Sequence, residues 1–97
     1  MKDELQDLID LLHERKCSCV LRNGEIYTFE RRGVEDLYAL LREQPGLLLG
    51  ADVADKVVGK GAAALMVLGR VRRVYADVLS EPAYGLLFQA GISVSYG

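Results

Sequence analysis

Val74 to Tyr96, VYADVLSEPAYGLLFQAGISVSY, decides the fold. Val74–Leu79 is rich in β-branched and aromatic residues, and Ser80 follows as an N-cap. Glu81 then sits in the first helical turn, where negative charge is favoured, and Pro82 is tolerated there. The helix is expected to run to Ala90, with Gly91 closing it in a left-handed cap. Ile92–Tyr96 returns to a strand pattern. A strand, a helix and a strand in this order imply a parallel pair joined by a right-handed crossover.

Working back from there, Asp52–Leu68, DVADKVVGKGAAALMVL, reads as a nearly all-apolar helix that stops near Gly69. Its first turns carry Asp52, Asp55, Lys56, Gly59, Lys60 and Gly61. Lysines at a helix start are mildly unfavourable unless a negative group answers them. A glycine inside a helix costs roughly 1 kcal/mol relative to alanine. A segment that accepts both costs points to an anion near its start, or to close backbone approach at Gly59.

The upstream half supplies three more elements. Lys2–Arg15 has Leu5, Leu8, Ile9 and Leu12 at helical spacing. Cys17–Arg22 and Glu25–Glu30 flank Asn23-Gly24, a strong hairpin signal, because a type I′ turn needs positive φ at both central residues. Val34–Glu43 reads as a helix ended by Pro45-Gly46. Leu47–Gly50 is expected to be briefly extended. The order is helix, hairpin, helix, helix, strand, helix, strand: one α/β domain over residues 1–97, with a mixed sheet between helices.

Composition limits the function classes. The chain has 97 residues, 51% of them hydrophobic and 27% charged, with a net charge of −2. That is one core and no basic excess, so a general nucleic-acid binder is not expected. Arg31-Arg32 and Arg70, Arg72 and Arg73 read as solvated surface. The longest apolar run, Ala62–Leu68, is far shorter than the roughly 20 residues that span a bilayer. The acidic start MKDELQDLID has no apolar run behind it, so no signal peptide and a cytoplasmic location are expected. The five tyrosines are scattered as packing residues.

Several groups carry candidate chemistry. Cys17 and Cys19 would share a face if both lay in a strand, a spacing poorly suited to a mutual disulfide. With His13 they fall short of a metal-ligand pattern, and no metal or cofactor is expected. Gly59-Lys60 fails as a phosphate loop, because Ala54 and Gly61 stand where that motif needs Gly and Ser or Thr. Asp55, Lys56 and Glu81 could form an acid/base group, or a cap and ion pair joining two helix starts. Asp77 interrupts an apolar strand and needs a partner there.

Gly50–Gly69 (GADVADKVVGKGAAALMVLG), Val74–Leu87 (VYADVLSEPAYGLL) and Gly91–Gly97 (GISVSYG) together resemble an uncharacterised family, domain of unknown function 1893, of the cytidine-deaminase-like superfamily. The resemblance covers roughly Cys17–Gly97 and implies a three-layer α/β/α sandwich on a mixed sheet. Zinc deaminases of this superfamily carry His-Ala-Glu or Cys-Ala-Glu at one helix start and Pro-Cys-x-x-Cys at another. Here Asp55–Lys60 and Ser80–Ala83 stand in those regions, without His or Cys. The resemblance therefore implies the scaffold without the zinc chemistry. Family members often continue past the last strand with a tail of further polar and Cys residues; where that tail closes the pocket or pairs subunits, a chain stopping at Gly97 is expected to be more open.

The leading expectation is a non-enzymatic module that binds a small anionic, nucleotide-like molecule. Asp55, Lys56, Gly59, Lys60, Ser80 and Glu81 are its candidate ligand-binding residues, gathered at paired helix N-termini on the C-terminal edge of the sheet. The alternatives are a metal-independent enzyme using Asp55, Lys56 and Glu81, and a structural homo-oligomer.

Overall fold

The computed structural model describes residues 4–31 and 34–97. Lys2, Asp3 and Arg32 of the stretches above lie outside them. In chain order the elements are α1 (Glu4–Glu14), β1 (Cys19–Asn23), β2 (Glu25–Phe29), α2 (Glu35–Glu43), α3 (Pro45–Leu48), β3 (Asp52–Val58), α4 (Lys60–Gly69), β4 (Arg73–Leu79), α5 (Glu81–Gln89) and β5 (Ser93–Tyr96).

The five strands form one sheet in the order β2-β1-β3-β4-β5. The hairpin β1–β2 is antiparallel, and β1 also pairs antiparallel with β3. β3, β4 and β5 run parallel. The expected parallel pair joined by a helix is β4–α5–β5, and the mixed sheet follows from joining it to the hairpin.

Strand alternation splits the core in two. On one face Leu8 and Leu12 of α1 pack with Cys17, Val20, Ala54 and Tyr75. On the other, Leu21, Val53 and Val74 meet Leu37 of α2, Leu48 of α3, Met66 of α4 and Leu87 of α5. One helix thus covers one face and four cover the other, which completes the three-layer α/β/α sandwich.

The main correction concerns Asp52–Val58. The sequence reading made it the start of a long helix, whereas it is β3, the central strand of the sheet. Strands buried on both faces lack a clean polar alternation. The apparent helix-start acids, Asp52 and Asp55, are buried strand residues. Gly59 is therefore not inside a helix. It is the extended N-cap of α4 (φ −97°, ψ −177°), and a Cβ added there would meet nothing within 4 Å. The glycine of α4 with a packing role is Gly69, where a Cβ would fall 2.8 Å from the Cβ of Leu48.

Smaller differences have local causes. Leu47–Leu48, expected extended, belong to α3, which starts at Pro45 because proline suits a first helical position. At the hairpin only Gly24 takes positive φ (+76°), so the turn is not type I′. Asn23 stays in β1, and its Nδ2 donates to the carbonyls of Gly46, Leu47 and Leu49 at 3.0–3.1 Å. Cys17 lies before β1, and the two buried thiols enter different core clusters on opposite faces. The helix after Ser80 forms as expected. Ser80 Oγ accepts from the Ala83 amide at 3.2 Å, and Gly91 closes the turn at φ +76°.

Candidate functional site

The crossovers bring the C-terminal ends of β3 and β4 to one edge of the sheet, where α4 and α5 begin. The carbonyl of Val58 accepts from the Ser80 amide at 3.1 Å and ties those two exits together. A cavity of about 880 Å³ opens at this edge. Asp55, Lys56, Val57 and Gly59 line it from β3 and its exit. Gly61 and Ala62 line it from α4. The end of α1 and the loop into β1, from His13 to Ser18, form the opposite wall, with Glu30 and Val34 beside it.

Asp55 and Lys56 are consecutive in β3 and project to opposite faces. Asp55 is 7% exposed and pairs in register with Cys19 of β1. Burial pushes its carboxyl up to about 6, against the lowering effect of the Val57 and Lys56 amides and the Cys19 thiol. The Val57 amide donates to Asp55 Oδ1 at 3.3 Å. Burial, with the Asp55 carboxylate next, pushes the Cys19 thiol well above its ordinary value. Cys19 is thus a donor to Asp55 and not a ready nucleophile. Lys56 is exposed, and its charge acts on Asp77 of β4.

Asp77 forms a polar cluster on the α1 face. His13 Nε2 and the Tyr75 hydroxyl each lie 2.7 Å from Asp77 Oδ1. The imidazole also meets the Tyr75 ring edge-on, with centroids 6.4 Å apart. Partial burial would raise the Asp77 carboxyl, but the His13 and Tyr75 hydrogen bonds outweigh it and hold the carboxyl below its usual range.

α4 has no capping side chain at Gly59, and among the described residues no side chain answers the first-turn amides of Lys60, Gly61 and Ala62. α5 differs. Ser80 takes the Ala83 amide with its side chain and the Tyr84 amide with its carbonyl, and Pro82 has no N–H. Ser80 and Glu81 line a separate cavity of about 320 Å³ with Leu79, Tyr84 and Tyr96.

A profile for the DUF1893 family, described as a domain of unknown function, matches residues 7–97. The chain belongs to the DUF1893 family. Among solved structures, the DUF1893 protein TM1506 from Thermotoga maritima superposes with a TM-score of 0.84 at 25% identity, covering 99% of this chain and 67% of that one. Two forms of RibD from Acinetobacter baumannii superpose with TM-scores of 0.61 and 0.63 at 17% identity. Each covers 96% of this chain, which spans only about a third of RibD. The likeness to RibD is one of fold alone. No curated protein matched at the level of sequence.

In this DUF1893 domain the six residues singled out from sequence divide. Asp55, Lys56 and Gly59 share the larger cavity, Ser80 and Glu81 share the smaller, and Lys60 lines neither. Of the acid/base group, Asp55 and Lys56 thus line one cavity and Glu81 the other. The edge between α4 and α5 offers Gly59–Lys60–Gly61 and Ser80–Glu81–Pro82, a donor set without the imidazole or thiolate that zinc takes. Among the described residues, no group of three or more His, Cys, Asp or Glu stands where it could hold a metal ion, and no helix is long and apolar enough to cross a membrane.

Sequence reasoning missed His13 and Tyr75 as partners of Asp77. One signal was available: Tyr75 and Asp77 are two apart in a strand and must share a face. His13 comes from 64 residues earlier in the chain, and nothing local joins it to them. Asp52, read as a charge near the lysines, sits at the far end of β3. There it takes both Arg72 and Arg73, with contacts of 2.8–3.2 Å.

Proposed function

We propose that this DUF1893 domain is a small-molecule-binding module whose larger cavity holds an anionic, nucleotide-sized ligand. The observation that supports it is the cavity itself, about 880 Å³ at the strand ends, with Lys56 on its wall and the uncapped start of α4 at its rim. That volume lies in the range of small-molecule sites, roughly 300–1,000 Å³. Parallel sheets collect ligands at this edge, and uncapped helix starts favour anions there. The second helix start contributes little, because Ser80 and Pro82 leave α5 few free amides.

The test is a titration with inorganic phosphate followed by amide NMR. Saturable shifts clustered at Lys56–Ala62 and at the His13–Ser18 wall are expected, and Lys56→Ala should weaken them several-fold. No shift at millimolar phosphate, or shifts centred on Arg72 and Arg73, would remove the reading.

A catalytic reading of the same cavity draws on one observation, the buried Asp55 whose carboxyl is pushed up to about 6. A carboxyl tuned that way can exchange protons near neutral pH. With Glu81 in the other cavity, this reading rests on Asp55 alone.

A further inference from the structure

The α1 wall of the larger cavity holds a group that phosphate binding does not use. A neutral imidazole carries one N–H. Asp77 Oδ1 is an acceptor held at 2.7 Å from His13 Nε2, so the proton belongs on Nε2. The Tyr75 hydroxyl donates to the same oxygen at 2.7 Å and fixes the carboxylate in turn. Nδ1 is left with a lone pair, and no side chain or backbone group of the described residues answers it. His13 is the chain's only histidine and lines the cavity together with Lys56.

We propose that His13 Nδ1 is a hydrogen-bond acceptor for a ligand hydroxyl, so that the cavity selects hydroxyl-bearing phosphates over phosphates that lack one. This rests on the anion-binding reading above and adds a second contact point to it. An imidazole locked in this tautomer has no proton to give an anion. It can only answer a donor. Lys56, whose charge reaches Asp77, stands beside it and disfavours an ammonium donor, whereas a hydroxyl adds no charge. Asp77 acts as a positioning residue: both of its contacts go to the protein, and its effect on the ligand passes through the imidazole. Sites that hydrogen-bond a substrate hydroxyl discriminate against analogues without it, because the site group is otherwise left unpaired.

Glycerol 3-phosphate and n-propyl phosphate have the same carbon count and phosphate, and differ in hydroxyls. Titrated at pH 8 by NMR, glycerol 3-phosphate is expected to bind about tenfold tighter, the size of one good hydrogen bond. His13→Ala should abolish the preference, so that the two phosphates bind with equal affinity. Asp77→Ala should reduce the preference, an effect that a purely structural role would not produce. The wild-type comparison stands by itself should either variant fail to fold. Nitrogen-15 shifts of the single histidine give an independent reading. Equal affinities for the two phosphates, or a ring protonated mainly on Nδ1, would overturn the inference and leave the anion site standing. Failure of both phosphates to bind would remove the anion site, and the hydroxyl acceptor with it.

Discussion

Asp55 is the residue whose charge state the fold opposes. Its carboxyl is buried at a register position opposite Cys19, and its partners are a thiol and backbone amides, not a cation. The folded chain holds the proton up to about 6, against an ordinary value of 3.8. This contribution to stability is complete below the ordinary value and is lost as pH rises through about 6. The difference is worth about 3 kcal/mol at most. Asp55→Asn keeps an oxygen for the Val57 amide and removes the charge. Urea unfolding should show the variant more stable than wild type at pH 8, with the gap closing by pH 4. A gap independent of pH would show that burial does not control this carboxyl. Asp52 is the opposite case. Burial raises its carboxyl, but Arg73 and Arg72 outweigh that and bring it down to about 2, so its contribution holds above 3.8 and is lost only as pH falls toward 2. Two aspartates three residues apart in one strand thus have opposite linkage, and the difference comes from partners remote in sequence.

At the scale of the element, α4 concentrates the glycine effects. Gly69→Ala should cost about 1–3 kcal/mol, because the new Cβ meets the Cβ of fully buried Leu48, which cannot swing aside as a side-chain tip could. Gly59→Ala should cost less, about 0.5 kcal/mol, since alanine is a poorer N-cap than glycine but its Cβ meets nothing there. Thermal melts of the two variants should separate clearly, and similar melting temperatures would contradict the packing role given to Gly69. Arg70 follows with φ 61° and is the only non-glycine at positive φ among the described residues. Arg70→Gly should stabilise by about 1 kcal/mol, since glycine takes that conformation without strain. Loss of stability there would mean that the arginine side chain matters more than its backbone.

Elements with local signals were legible in the sequence. The Asn23-Gly24 hairpin, the Ser80 cap and the Gly91 closure each depend on a few adjacent residues. β3 was not legible, and the reason is physical. Its acids are tolerated only because Arg72, Arg73 and Cys19 arrive from elsewhere, so in isolation they looked like helix-start residues. The same error split the candidate site. Once Asp55 and Lys56 belong to a strand, they face opposite layers, and the cavity wall comes from α1, a helix read only as a core stripe.

For the whole molecule, the unequal layers matter most. α1 alone covers its face, through Leu8, Leu12 and their neighbours, while four helices share the larger core. Its polar ties to the sheet include the His13–Asp77 contact near its end and a 3.9 Å Glu4–Arg22 pair near its start. Exposed pairs of this kind contribute little, about 0–1 kcal/mol. Native-state hydrogen exchange should find α1 amides opening at lower free energy than those of β3 and β4. Uniform protection across α1 and the central strands would show that the layers unfold as one.

That imbalance has a kinetic side. The histidine wall of the cavity travels with α1, whereas Lys56 and Gly59 stay with the rigid sheet. A bound molecule gripped by both would hold α1 down. The same molecule could leave no faster than α1 lifts, if the cavity mouth is narrower than its contents. Residence time would then track the opening rate of one eleven-residue helix, and weakening Leu8 or Leu12 would quicken release while leaving every group in the cavity unchanged.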